Sequence, residues 1–114
     1  MNYNNLFSSA YQQLVNQYLE DPRNKIHVNI QLLTLSAIIE SGSAHEQSEI
    51  NGIIEKYLNG DLNDDETDIY DGTVAVCGSL ARECFGGDPD EDVDYEITWL
   101  EDASSSYYAE VRPA

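Results

Sequence analysis

The sequence predicts a mainly α-helical, single small domain of three to four helices with a candidate C-terminal β-hairpin, an α+β ending on a helical body. Three observations lead there. Apolar residues recur at three- and four-residue spacing through the first sixty positions, a strict two-residue alternation runs from Val93 to Trp99, and 114 residues suit one core. A hydrophobic fraction of 41%, with ten Tyr or Phe residues and Trp99, supplies the apolar area such a core needs. Residues 1–114 are therefore read as one domain, with 1–59 as a helical scaffold and 60–114 as its acidic face.

The elements follow in chain order. Leu6, Phe7, Ala10, Tyr11, Leu14, Val15, Tyr18 and Leu19 make one face of a first helix, with Asn4 or Asn5 as its cap and Asp21-Pro22 as its stop. A second helix spans about His27 to Glu40. Its apolar residues cover most of the circumference, as expected of the most buried helix. A third runs from His45 to Leu58, with Ser43 or Ser48 to cap it and Asn59-Gly60 to end it. DLNDDETD then reads as an acidic loop or a helix start, and Ile69 to Phe85 as a fourth helix. Gly72, Gly78 and the β-branched stretch Thr73-Val74-Ala75-Val76 weigh against that helix. After the acidic loop DPDED, Val93, Tyr95, Ile97 and Trp99 alternate with Asp94, Glu96 and Thr98 as in a half-buried strand, and Tyr107 to Val111 returns beside it. A helical Trp99–Val111 is the open alternative.

Charge is the unusual quantity. Twenty-two acids against five Lys or Arg give a net −17. The halves differ: residues 1–59 hold six acids and three bases, a net −3, and residues 60–114 hold sixteen acids and two bases, a net −14. Such a surface repels nucleic acid and anionic membranes, so neither is an expected partner, whereas a basic protein is. Solubility alone is served by a net charge of about 2 to 8 on a small domain. Duplex DNA carries one charge per roughly 1.7 Å of axis, so seventeen carboxylates spaced likewise extend over about 29 Å, some eight to nine base pairs. Carboxylates accept paired hydrogen bonds from Arg as phosphates do. The expected partner-binding acids are Asp61, Asp64, Asp65, Glu66, Asp68, Asp71, Asp88, Asp90, Glu91, Asp92, Asp94, Glu96, Glu101 and Asp102.

Other chemistries fit less well. Asp61, Asn63 and Asp65 imitate the start of a calcium loop, but Glu66 stands where Gly makes the turn and Gly72 where a bidentate Glu belongs. Asp88, Asp90 and Asp92 repeat the near miss, with Val93 and Trp99 at those two positions, so weak divalent-cation binding is the most such clusters support. His27 and His45 have no second ligand at zinc spacing, and no metal or cofactor is expected. Cys77 and Cys84, seven residues apart on a helix, lie about 10 Å apart along the axis, too far for a disulfide. Acidic surroundings suppress their thiolates, no phosphate-binding glycine loop is present, and no catalytic residue is expected. No apolar run reaches the roughly 18 to 20 residues of a membrane span, and MNYNNLFSSA lacks the basic start and apolar stretch of a signal peptide, so the expected location is the cytoplasm.

The stretch Tyr3-Asn4-Asn5-Leu6-Phe7-Ser8-Ser9-Ala10-Tyr11-Gln12-Gln13-Leu14 resembles the opening of the Ocr-type antirestriction proteins of bacteriophages, and Leu100-Glu101-Asp102-Ala103 resembles a late segment of that family. The resemblance implies a DNA-mimicking inhibitor made early in phage infection, a homodimer shaped like bent B-form DNA, and occupation of the DNA groove of a type I restriction enzyme in the host cytoplasm. No functional residue transfers by motif, because Asn4, Asn5, Phe7, Ala10 and Tyr11 match within a structural helix. The family is almost wholly helical and ends in a dense Glu tail, whereas here the acids concentrate between Asp61 and Asp102 and SSSYYAEVRPA is nearly neutral. A CRISPR effector, or another basic protein bound without any imitation of DNA, therefore stays open as the target.

Overall fold

The computed structural model describes residues 3–86 and 93–114. Four helices, α1 (Tyr3–Glu20), α2 (Ile30–Ser41), α3 (Gln47–Asn59) and α4 (Asp64–Ala81), carry a three-stranded antiparallel sheet of β1 (Ile26–Val28), β2 (Tyr95–Glu101) and β3 (Tyr107–Pro113). A wider π-helical turn, Arg82–Gly86, continues α4. The fold class is the one the sequence predicts, mainly α with a C-terminal β part, and Trp99–Val111 is hairpin rather than helix.

Helix α2 is the centre. Leu32 to Ile38 are all buried, so the helix has no solvent face along this stretch. Asn29 caps it by accepting the Leu32 amide at 2.9 Å, and Gly42 ends it at φ +73°, a left-handed conformation that glycine adopts without a Cβ clash. Its closest neighbour is α4. The Ser36 hydroxyl donates to the Gly72 carbonyl at 2.6 Å, and a Cβ added at Gly72 would stand 3.2 Å from the Glu40 Cβ. The glycine that weakens α4 by propensity is thus what lets the two backbones approach. Thr73, Val76 and Cys77 enter the core beside it, and that burial outweighs the small helix penalty of β-branched residues.

Several boundaries differ from the sequence expectation. The second helix does not start at His27, because Ile26, His27 and Val28 pair with Val111, Glu110 and Ala109 of β3 as an edge strand. Asn4 and Asn5 lie inside α1, and Leu6 and Leu19 stay exposed at 41% and 62% while Val15 goes inward. Glu46, without a side-chain cap bond, precedes α3, and Ser48 sits within it. The stop at Gly60 holds, at φ +75°.

The sheet order is β1-β3-β2, with β3 central. Ala109 and Val111 of β3 and Ile26 and Val28 of β1 point into the core with Leu33, Ile50 and Leu80. Asn51 of α3 accepts the Tyr107 amide at 2.9 Å and fixes the start of β3. Among the described residues, no helix is long and apolar enough to cross a membrane.

Candidate partner-binding acidic surface

The acidic stretch after Gly60 is a helix start. Asn63 accepts the Glu66 amide at 2.8 Å while the Glu66 carboxylate accepts the Asn63 amide at 3.3 Å, a reciprocal capping box. Glu66 also receives Lys56 at 2.5 Å, and that hydrogen bond holds its carboxyl below the usual range. Among the expected partner-binding acids, Glu66 is therefore committed to the fold. The same cap removes the calcium-loop geometry, since Asn63 faces an amide and Glu66 lies within α4.

Beyond the cap, α4 places Asp64, Asp68 and Asp71 at i, i+4 and i+7, one stripe opposite the face that buries Thr73, Val76 and Leu80. All three are exposed, as are Asp65 one step around the helix and Asp61 in the preceding loop. With 1.5 Å of rise per residue, Asp64, Asp65, Asp68 and Asp71 hold four carboxylates within about 10.5 Å. One DNA strand places roughly three phosphates in that length, at 3.4 Å each. Among the described residues, no basic side chain forms an ion pair with any of these five Asp residues.

The C-terminal acids are arranged otherwise. Asp94 and Glu96 are exposed, and Glu96 stands across from Arg112 of β3, whose guanidinium bonds Glu110 instead. Asp102 accepts the Ser104 and Ser106 amides at 2.8 and 3.0 Å and closes the hairpin turn, leaving Glu101 exposed beside it. Trp99 and Tyr95 reach α4 from the inner face of β2, the indole donating to Tyr70 at 3.2 Å. Strand alternation therefore turns Glu96 away from α4. The structure separates the helical acids from the strand acids and does not gather them on one plane. Asp88, Asp90, Glu91 and Asp92 lie outside the described residues.

Two polar clusters were not read from the sequence. On the outward side of β3, Glu110 is only 6% exposed and bonds Arg112, with His27 at 3.5 Å. The Arg112 hydrogen bond, with Lys25 and His27 close by, lowers its pKa. A groove of about 280 Å³ beside it, between α1 and β1, is lined by Asp21, Arg23, Lys25 and His27. The second cluster joins α2 to α3. Ser41 meets His45 Nε2 at 3.0 Å and Glu49 meets His45 Nδ1 at 3.1 Å, the order of a hydroxyl–imidazole–carboxylate relay. Its surroundings do not support acyl chemistry: the Gly42 amide donates to Ile38 and the Ser43 amide to Ser41 itself, and the hydroxyl sits at the negative end of α2. The relay pins the α2–α3 turn. A four-residue Ser-His-Glu spacing was its only sequence signal.

Cys77 and Cys84 are free thiols. Burial pushes the Cys77 thiol up to about 12, and burial with Glu83 beside it raises Cys84 to about 11. Among the described residues, no three His, Cys, Asp or Glu side chains group as metal ligands. No protein-family model matches the sequence, and neither a curated protein nor a solved structure matches it.

Proposed function

We propose that this chain is a non-enzymatic acidic inhibitor that occupies the DNA-binding groove of a host defence enzyme, with a type I restriction enzyme as the target. The observation that carries the reading is the α4 stripe of Asp64, Asp68 and Asp71, which with Asp65 one step around the helix stands exposed and without basic partners among the described residues. A Lys- and Arg-lined groove holds DNA by exchanging counterions for phosphates, and a fixed row of carboxylates enters the same exchange. The protein acts in the cytoplasm of the host, and a homodimer would lengthen the charged surface. The test is displacement of labelled duplex DNA from a type I restriction enzyme. The wild-type chain is expected to displace it, and the Asp64→Asn, Asp68→Asn, Asp71→Asn triple variant to need about 3- to 160-fold more protein, at roughly 0.2 to 1 kcal/mol per exposed pair. Failure of the wild-type chain to displace DNA rejects the reading for that enzyme, and the same assay on a CRISPR effector tests the other nucleic-acid-holding target.

A second reading, an acidic module that neutralises a basic protein without copying DNA geometry, is favoured by shape. Extents of 35 × 32 × 30 Å are nearly isotropic, and the acids fall on separate elements. This module would bind a basic partner without competing with duplex DNA.

A further inference from the structure

β2 forms one edge of the sheet among the described residues. At this edge lies an open groove of about 660 Å³, lined by Tyr57 and Leu58 of α3, Tyr70 of α4, and Ile97 and Trp99 of β2. Tyr57 and Leu58 are 45% and 49% exposed. The floor is a rigid aromatic row: Tyr57 stacks on Tyr70 with centroids 4.1 Å apart, and Tyr70 meets Trp99 at 6.1 Å.

The edge itself has a defined polarity. The Asp94 carbonyl accepts from the Ala114 amide and the Asp102 amide donates to Ser106. In the antiparallel register the even-numbered residues therefore exchange their bonds with β3. Tyr95, Ile97 and Trp99 direct their N–H and C=O groups to the open side, where no described strand pairs with them. The other edge strand, β1, has only three residues, so β2 with seven is the edge long enough to template an added strand.

From this geometry we infer that the β2 edge takes up an extended segment of a basic partner protein as a fourth strand, apolar side chains alternating into the groove and Lys or Arg facing Glu96. Charge selects the occupant. A strand laid along β2 on its outward side meets Asp94 and Glu96, and at its end Glu101 and Asp102. A second copy of the chain would bring the same acids and another net −17, and charged edge residues of one sign discourage self-pairing. A partner with Lys or Arg at alternate positions gains where the copy loses, while main-chain bonds supply affinity as in other strand additions. The inference rests on the proposed basic partner only for the sign of these side chains, and it uses a different surface from the α4 stripe.

The probe is a ten-residue synthetic peptide alternating Lys and Val. It is compared with the same peptide N-methylated at alternate residues and with oligolysine of equal charge. The alternating peptide is expected to change Trp99 fluorescence and to slow amide hydrogen exchange at Tyr95, Ile97 and Trp99. Methylation is expected to weaken binding about tenfold or more by removing the donors. Leu58→Ser, an exposed change that leaves the core intact, should weaken it several-fold with helix content unchanged. Equal binding of the methylated peptide, protection at β1 instead, protection by oligolysine alone, or self-association that buries β2 each overturns the inference. Peptide binding lost with DNA displacement retained rejects strand addition alone; the converse rejects the DNA-mimic reading alone.

Discussion

Glu110 stands in the middle of the sheet with Arg112 and His27 around it, and the hydrogen bond it accepts from Arg112 governs how it meets acid. Its folded pKa is lowered, first by the Arg112 hydrogen bond, and that of Glu66 is lowered by Lys56. A depressed carboxylate contributes stability that is complete above its unfolded value of roughly 4.3 and is lost as pH falls through the lower folded value. Glu110→Gln should therefore lower Tm at pH 7 and flatten its fall below about pH 4, while a wild-type acid limb in the variant would show that the pair does not contribute. Neither role was legible in the charge count. Glu110 sits in the near-neutral SSSYYAEVRPA segment, and only the register of β3 against β1 brings His27 to it. Charge alone places Glu66 with the partner-binding acids; its three-residue spacing from Asn63, which fits a capping box, is the signal that separates it from them.

At the scale of elements, α4 contains two kinds of Asp with opposite effects on stability. Asp64 and Asp65 occupy the first turn, where negative charge meets the positive end of the helix, worth about 0.3 to 1 kcal/mol each. Asp68 and Asp71 lie beyond that turn and repel each other across one helical spacing. Thermal melting should accordingly show Asp64→Asn lowering Tm and Asp71→Asn raising it, with a fall in both marking the stripe as structural. Asn63→Ala should cost about 0.5 to 2 kcal/mol by removing the cap. The first three helices and β2 were readable because their periodicities are long, whereas α4 and the hairpin were expected against competing signals. β1 was not, because three residues are too few to show a period and only pairing with β3 makes them a strand. The persistence of α4 through Gly72 and Thr73–Val76 came from packing on α2, a tertiary contact that propensity does not encode.

At the scale of the whole molecule, the imbalance between a first half at −3 and a second half at −14 stores repulsion in the free protein. The sequence showed that imbalance directly; what it could not show was that Glu66 and Asp102 are engaged within the fold, while Asp64, Asp65, Asp68 and Asp71 of α4 have no basic partner among the described residues. Added salt screens like charges within a Debye length of about 8 to 10 Å, so the melting temperature of the free chain should rise with salt. Affinity for a groove that normally holds DNA should move the other way, because counterion release drives the association. The most direct test is the dissociation constant for a type I restriction enzyme measured across a salt series. The DNA-mimic account predicts a steep loss of affinity as salt rises; an affinity that stays flat over that series, as a purely apolar interface would give, contradicts it even if the melting temperature climbs as expected.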